Sequence, residues 1–221
     1  MPITLRVRPG RPNDSAVLEA AAIIRAGGIV VFPTETVYGI GIGLDHAGSG
    51  ETGVARVSAL KGRPAGMPVL LHCASVQDIP GLARSMPRSA LDLVQAFLPG
   101  PLALVLPASD RVPAALQGPG GTVGIRVVAL PVTQALIRRV GTPLAGSSAN
   151  PHGTPATAGF SELDAAILAG ADVILDSGRC GTGLASTVVD LATGPPRLLR
   201  EGAIPRAAVE SVLDVRLAES G

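Results

Sequence analysis

The sequence predicts an α/β protein built as one domain over residues 1–221, and three observations lead to this class. Helix-like and strand-like hydrophobic patterns alternate along the chain, which is typical of layered α/β architectures. Hydrophobic residues make up 47% of the 221 residues and charged residues 16%, which is enough apolar side chain for one sizeable core. The 28 glycines and 20 prolines are spread over the connections without a linker-like cluster, so we expect a single domain.

The individual elements follow from start signals, stop signals and periodicity. Asn13-Asp14-Ser15 offers N-caps for a helix over Ala16–Ala26, which Gly27-Gly28 ends. A strand at Ile29–Phe32 stops at Pro33. Further helices are predicted at Glu51–Leu60, Arg88–Phe97, Val132–Val140 and Pro205–Val215. Further strands are predicted at Pro68–His72, Leu102–Leu106, Val123–Val128, Leu144–Gly146, Val173–Leu175, Thr187–Leu191 and Arg197–Leu199, with a mobile loop at Gly118–Gly121.

Charge and cysteine content exclude several classes of protein. The net charge is +1 and no Lys/Arg block is present, which argues against a broad electrostatic footprint for nucleic acid. Cys73 and Cys180 form no C-x-x-C pair and predict no disulfide scaffold. The N-terminus lacks a secretory h-region, and no apolar run reaches the length of a membrane span. We therefore expect a cytoplasmic protein without a membrane partner.

Lys61 is the only lysine in a chain that carries 17 arginines. An ammonium is a compact point charge that can shift its pKa, whereas a guanidinium is a permanently charged planar fork. The lysine lies in Lys61-Gly62-Arg63, two residues from a second cation. Composition alone leaves two explanations open, a chance survivor on the surface or a group retained for its chemistry.

Small polar residues follow several predicted strands, where ligands bind in open α/β sheets. The first strand runs into Thr34-Glu35-Thr36, a later one ends at His72, and another leads into Ser147-Ser148-Ala149-Asn150. Turns and helix caps are an alternative explanation for such clusters. Arg126 lies inside an apolar strand, so its guanidinium needs an anionic partner, which Asp, Glu, or a substrate carboxylate or phosphate could supply.

Several familiar motifs are excluded. The residues beside Lys61 do not form the Gly-Lys-Ser/Thr of a Walker A loop, and Gly39–Gly43 lacks the G-x-G-x-x-G spacing. The three histidines show no metal-ligand spacing, so we predict no metal site. Ser58-Ala-Leu-Lys61 matches the S-x-x-K of serine acylases, but the companion K-T-G would need a second lysine.

Taken together, these segments resemble one family, the YrdC-type L-threonylcarbamoyl-AMP synthases. The matching stretches occur in the family's order and cover nearly the whole chain. They are Gly28–Gly39, Ala59–Pro64, Pro68–His72, Pro99–Leu102, Val123–Val127, Pro143–Asn150, Ser186–Asp190 and Arg197–Gly202.

The resemblance implies a twisted, open mixed sheet flanked by helices, with a concave ligand-binding face. It also implies an enzyme that forms threonylcarbamoyl-AMP and pyrophosphate from L-threonine, bicarbonate or CO2, and ATP. A separate transferase complex then moves the threonylcarbamoyl group to a tRNA adenosine, so contact with tRNA is expected to be indirect.

The resemblance also assigns site residues. Lys61 and Arg63 would be catalytic by neutralising the phosphates, and ATP would be bound by them together with Thr122, Ser148, Asn150 and Arg200. Threonine would be bound by Thr36, His72, Arg126 and Ser186. We expect Mg2+ on the phosphates, although the chain offers no obvious protein ligand set for it.

Three positions depart from the family pattern, namely Met67, Ala156 and Glu201, and the first two could remove side-chain contacts to the nucleotide. The alternatives are a non-catalytic RNA-binding protein and a carbamoyltransferase-type module on the same fold. The near-neutral charge argues against strong binding to a phosphate backbone.

Overall fold

The computed structural model describes residues 2–11, 15–48, 53–64 and 66–218, and these form ten β-strands and eight α-helices. The strands are β1 (Ile3–Arg6), β2 (Val30–Phe32), β3 (Gly39–Gly43), β4 (Leu70–Cys73), β5 (Leu102–Pro107), β6 (Thr122–Val127), β7 (Leu144–Ser148), β8 (Val173–Asp176), β9 (Thr187–Asp190) and β10 (Arg197–Arg200). The helices are α1 (Ser15–Arg25), α2 (Leu44–Ala47), α3 (Val54–Leu60), α4 (Ile79–Leu82), α5 (Arg88–Phe97), α6 (Pro131–Val140), α7 (Ala165–Gly170) and α8 (Arg206–Leu213).

All ten strands join one mixed sheet in the order β1-β8-β2-β3-β7-β4-β6-β5-β9-β10. The pairs β1–β8, β8–β2, β4–β6 and β5–β9 are parallel, and the other neighbours are antiparallel. The predicted class, an α/β protein with a mixed sheet flanked by helices, is confirmed.

Helices cover both faces of the sheet around β2 and β8. On one face, Ile24 of α1 and Leu136 of α6 share a cluster of buried residues with Phe32. On the other face, Val57 of α3 and Ile167 of α7 pack with strand residues of the opposite parity, such as Ile174. Side chains alternate between the faces of a strand, so these strands are apolar at nearly every position.

The sheet around β5 and β6 is covered by helices on one face only. Leu104 and Ile125 belong to a buried cluster with Leu93 of α5 and Val209 of α8. The alternate residues of the same strands, including Val105 and Arg126, line a cavity instead. The strand period therefore separates a helix-packed face from a ligand-accessible face.

The predicted helices and strands are present, with boundaries that differ by a few residues. The N-caps Asn13 and Asp14 and the helix start at Glu51 lie outside the described residues. Gly118–Gly121 does lie between two strands, where the Gly118 N–H donates to the Thr122 carbonyl (2.8 Å), and its mobility remains a prediction.

The sequence prediction missed β1, β3 and the short helices α2, α4 and α7. β3 was missed because glycine inside a strand ordinarily weakens it. In the structure this strand is buried throughout and approaches β7 closely. A Cβ at Gly41 would lie 2.7 Å from the Ala145 carbonyl oxygen, and one at Gly146 would lie 2.2 Å from that of Ile40. At these positions glycine permits the close approach of the two strand backbones.

Gly146→Ala is therefore expected to destabilise the protein, because the added methyl group would overlap a backbone oxygen that cannot move independently. Overpacking of this kind costs about 1–3 kcal/mol. Urea denaturation measures the loss in free energy of unfolding. Gly10→Ala is the control, since a Cβ at Gly10 meets nothing within 4 Å. Equal stability of the two variants would contradict the close approach.

Candidate functional site

A cavity of about 710 Å³ lies on the uncovered face of the sheet. Nine of the ten site residues assigned from the resemblance line it, and the tenth, Thr36, is buried directly behind. The nine are Lys61, Arg63, His72, Thr122, Arg126, Ser148, Asn150, Ser186 and Arg200.

Lys61 is held between α3 and the end of β7. Its Nζ donates to the backbone carbonyls of Ser148 and Asn150, and only 5% of the residue is exposed. Burial, with a smaller contribution from the charge of Arg63, lowers the pKa of Lys61 to about 8. An ammonium has three N–H donors, so one remains for a ligand.

Arg63 is brought beside Lys61 by a reversal of the chain at Gly62, whose φ of +59° favours glycine. The Arg63 Nη2 donates to the Pro68 carbonyl at 2.6 Å, and burial lowers the pKa of the guanidinium. The loop before β4 thus anchors this cation.

Asn150 and Ser148 contact Lys61 through their backbone carbonyls. Both amide hydrogens of Asn150 are engaged, since Nδ2 donates to Pro151 O (2.9 Å) and Thr154 O (2.6 Å). Its Oδ1 is buried without a partner. The expected amide donor to phosphate is therefore occupied within the loop, and the free polar atom of Asn150 is an acceptor.

Arg126 is the most buried cation at the site, with a side chain that is 4% exposed. Its Nη2 donates to Glu35 Oε1 and to Thr36 Oγ1, each at 2.8 Å, while Nε is buried without a partner. The anionic partner required of a buried guanidinium is thus supplied by Glu35, a residue to which the sequence assigned no role. Its position in the segment with Thr34 and Thr36 was the available signal.

Two threonine hydroxyl groups, hydrogen-bonded in series, hold the Arg126 guanidinium in place. Thr34 Oγ1 donates to the Val37 carbonyl (2.6 Å), so it must accept from Thr36 Oγ1, which lies 2.9 Å away. Thr36 in turn accepts from Arg126. Thr36 therefore positions the guanidinium and does not line the cavity.

His72 is the cross-strand neighbour of Arg126 in the β4–β6 ladder. Burial, and then the charge of Arg126, lowers the pKa of His72 to about 3, so the ring is neutral near pH 7. Its Nδ1 lies 3.3 Å from the Leu144 carbonyl, which can only accept. The proton therefore sits on Nδ1, and Nε2 is an acceptor.

Arg200 and Ser186 are in contact, although the resemblance assigned Arg200 to ATP and Ser186 to threonine. Arg200 Nη2 donates to Ser186 Oγ (3.1 Å) and Nε donates to the Ser186 carbonyl (3.0 Å). Burial, followed by the charge of Arg126, lowers the pKa of Arg200. Thr122 is the first residue of β6, and its Oγ1 donates to the Pro119 carbonyl (3.1 Å).

The cavity concentrates positive charge that the whole chain does not show. Its described lining contains five cationic side chains and one carboxylate, although the net charge of the chain is only +1. The cations are Lys61, Arg63, Arg126, Arg197 and Arg200. The carboxylate is that of Asp190, which forms a 2.6 Å ion pair with Arg197 that was not expected from the sequence. Such a lining favours a polyanionic ligand.

Neither a metal centre nor a membrane span is found in the part of the chain that the structure describes. No group of three or more His, Cys, Asp or Glu side chains is placed to hold a metal ion. None of the described helices is both long and apolar enough to cross a bilayer.

An uncovered half-sheet with a cation-lined cavity defines a domain suited to an anionic ligand, and its sequence identifies the family. Residues 22–202 match the Sua5–YciO–YrdC family model, which is described as "Telomere recombination". The chain belongs to this family.

Curated relatives carry a common name. The chain is 39% identical over 214 residues to the threonylcarbamoyl-AMP synthase of Pyrococcus abyssi, and covers 96% of its own length and 61% of that protein. It is 37% identical over 203 residues to the putative threonylcarbamoyl-AMP synthase of Mycobacterium tuberculosis, covering 92% and 91%. P. abyssi Sua5 complexed with L-threonine superimposes with a TM-score of 0.87 at 36% identity, covering all of this chain and 62% of that one. The chain thus spans about three fifths of the P. abyssi protein.

Thr36→Val is expected to loosen Arg126, because it removes the hydroxyl group that accepts from Nη2 and donates to Thr34. A buried polar group left unpaired costs about 1–3 kcal/mol. The free energy of unfolding should fall by that amount in urea titrations. Thr4→Val, on the exposed edge strand β1, makes the same chemical change as a control. A loss no larger than that of the control would mean that the hydroxyl chain does not hold the guanidinium.

Proposed function

We propose that residues 1–221 form one catalytic domain that makes threonylcarbamoyl-AMP and pyrophosphate from L-threonine, bicarbonate or CO2, and ATP. The observation that carries the proposal is the contact of Arg200 with Ser186, beside Arg126, in a cavity lined by five cations. That contact links the region suited to a polyphosphate with the region suited to an amino acid. The names of the relatives support the same activity.

The phosphate end would be formed by Lys61 and Arg63. The ammonium is held by two carbonyls and the guanidinium by a third, so both charges are fixed before the nucleotide arrives. Fixed cations stabilise charge that develops on a leaving pyrophosphate without reorganising during the reaction. We therefore assign Lys61 and Arg63 the catalytic role, with Thr122, Ser148, Asn150 and Arg200 as further ATP-binding residues.

The threonine end would be formed around Arg126 and His72. Arg126 has a buried Nε without a partner, and a carboxylate is the group that a guanidinium binds best. The neutral His72 ring offers an acceptor for the threonine amine or hydroxyl. Ser186, directly before β9, would add a contact, and Thr36 would hold Arg126 in place.

In the reaction that we propose, the neutral amine of threonine attacks CO2 and loses a proton to give a carbamate. A carbamate oxygen then attacks the α-phosphate of ATP, and the bond to the pyrophosphate oxygen breaks. Every step joins two bound substrates without a covalent enzyme intermediate. Orientation and charge neutralisation therefore supply the rate acceleration.

Mg2+ would enter this scheme with the nucleotide, as MgATP. The product would pass in the cytoplasm to a transferase complex that modifies a tRNA adenosine. An RNA-binding role is less well supported, since the net charge of only +1 argues against strong binding to a phosphate backbone.

The direct test is incubation with ATP, threonine and bicarbonate, followed by mass spectrometry for threonylcarbamoyl-AMP and an enzymatic assay for pyrophosphate. Product should require all three substrates. Tight, salt-dependent tRNA binding without threonine-dependent turnover would instead favour the RNA-binding alternative.

Lys61→Ala is expected to lower kcat by about 10²–10³-fold, the usual loss when one donor to a developing charge is removed. Pyrophosphate release at saturating substrate measures the effect, and thermal denaturation checks the fold. Arg84→Ala removes an exposed cation from an ion pair outside the cavity lining and should retain activity. Near-normal turnover by Lys61→Ala would exclude the assignment.

ATP affinity is expected to weaken as the pH rises through about 8. The lowered pKa of Lys61 means that the ammonium is charged below this pH and becomes neutral above it. Calorimetric titration with ATP between pH 6.5 and 9.5 measures the change. An ATP affinity that stays constant up to pH 9.5 would rule out a titrating lysine at the phosphate end.

A further inference from the structure

Unpaired arginines are concentrated on one outer surface of the protein, away from the cavity. Seven of the 17 arginines form ion pairs among the described residues, which leaves ten that do not. Five of these ten are exposed residues of α1, of α6 or of the segment between β1 and α1. The five are Arg8, Arg11, Arg25, Arg138 and Arg139. Together with Leu18 and Ala22 of α1 they form what we call the α1–α6 face.

Packing of α1 against α6 brings these side chains together. The two helices share a buried cluster, and at their C-terminal ends Arg25 Nη1 donates to the Arg139 carbonyl at 2.6 Å. At the beginning of α6 the Val132 N–H donates to the Pro9 carbonyl at 3.1 Å, so the segment around Pro9 lies at that end. α6 has 10 residues, which separates the two groups of cations by about 15 Å. The face therefore has positive charge at both ends.

An exposed leucine lies between these two groups of arginines. Leu18, Ala22 and Arg25 are four and three residues apart, so they form one stripe along α1. Arg25 reaches α6, so this stripe borders α6. Leu18 is 50% exposed although it lies beside a well-packed helix pair. Glu19, the one carboxylate in the sequences of α1 and α6, is turned about 100° away from Leu18 around the helix.

We propose that the α1–α6 face docks an acidic segment of a partner protein. An apolar side chain of that segment sits on Leu18, and its carboxylates contact the arginines at the two ends of the face. Complementary charge selects the partner, and an apolar centre flanked by arginines is typical of protein interfaces. No residue of the face lines the cavity, so the inference does not depend on the proposed function.

Two other occupants fit the face less well. A second copy of this chain in a two-fold symmetric dimer would place the same arginines opposite one another, and like charges repel. A nucleic acid would use the arginines, but the exposed Leu18 would then face a sugar–phosphate backbone. Neither helix contains an aromatic residue on which a base could stack. An acidic protein segment uses both the charge and the apolar centre.

Fluorescence anisotropy on the whole chain tests the proposal with a labelled peptide of Glu-Glu-Leu-Glu repeats, the same peptide with Gln for Glu, and a tRNA transcript. The acidic peptide should bind more tightly than the Gln peptide, and more weakly as salt is added. The double variant Arg11→Glu/Arg139→Glu should weaken it by about tenfold, because two attractive contacts become repulsive. Leu18→Ser should weaken it by about threefold through lost apolar contact.

Matched controls come from other surfaces. Arg111→Glu/Arg216→Glu changes the net charge equally at two exposed arginines that also form no ion pair within the described residues. Leu91→Ser alters a residue of α5 that is 49% exposed. Lys61→Ala alters the cavity and shows whether the peptide binds there instead. All three should bind the acidic peptide as the wild type does, and thermal denaturation checks the fold of every variant.

The proposal is overturned if the wild type binds the Gln peptide as well as the acidic one, or if both double variants lose the same affinity. It is also overturned if the tRNA transcript, and not the peptide, loses affinity in Arg11→Glu/Arg139→Glu. The fate of the proposed function is separate. Threonine-dependent pyrophosphate release should persist in Arg11→Glu/Arg139→Glu and Leu18→Ser. A wild type that shows the expected peptide binding but no turnover keeps the docking face and loses the activity.

Discussion

The burial of one guanidinium, that of Arg126, is the constraint on which the site depends. A charge with a side chain only 4% exposed must be compensated by partners, and Glu35 and Thr36 supply them. The segment that provides these partners is itself fixed, since a Cβ at Gly181 would lie 2.3 Å from the Thr36 carbonyl oxygen. The same charge helps to keep His72 neutral and lowers the pKa of Arg200. Burial is the larger cause of both pKa shifts, and the charge of this one cation adds to it.

Lys61 is a second buried cation of the cavity that is held by fixed partners. Its ammonium joins the C-terminal end of α3 to the loop after β7 through two backbone carbonyls. The His152 N–H completes this junction by donating to the Lys61 carbonyl at 2.7 Å. The cation is thus part of the tertiary structure as well as of the site.

Local periodicity predicted most of the fold, and short motifs predicted most of the cavity lining. Arg126 in an apolar strand correctly indicated a buried cation with an anionic partner. The sequence could not show that Glu35 is this partner, because the two residues meet only through the pairing of distant strands. Thr36 is buried and accepts a hydrogen bond from Arg126, and its contact with threonine stays a prediction. β3 was missed because its glycines permit a close approach to β7, and the sequence alone does not show that these two strands are neighbours.

The uncovered half-sheet gives the cavity two unlike parts. Its floor consists of β4, β6, β5, β9 and β10, where hydrogen bonding between strands fixes the spacing of neighbouring side chains. Its walls include residues of the connecting segments, such as Arg63, Met67 and Pro119, which can be exchanged without changing strand register. Changes in ligand preference among proteins of this architecture should therefore arise mainly in the walls. The distance between side chains on different strands of the floor is a property of the sheet, and it would persist through such changes.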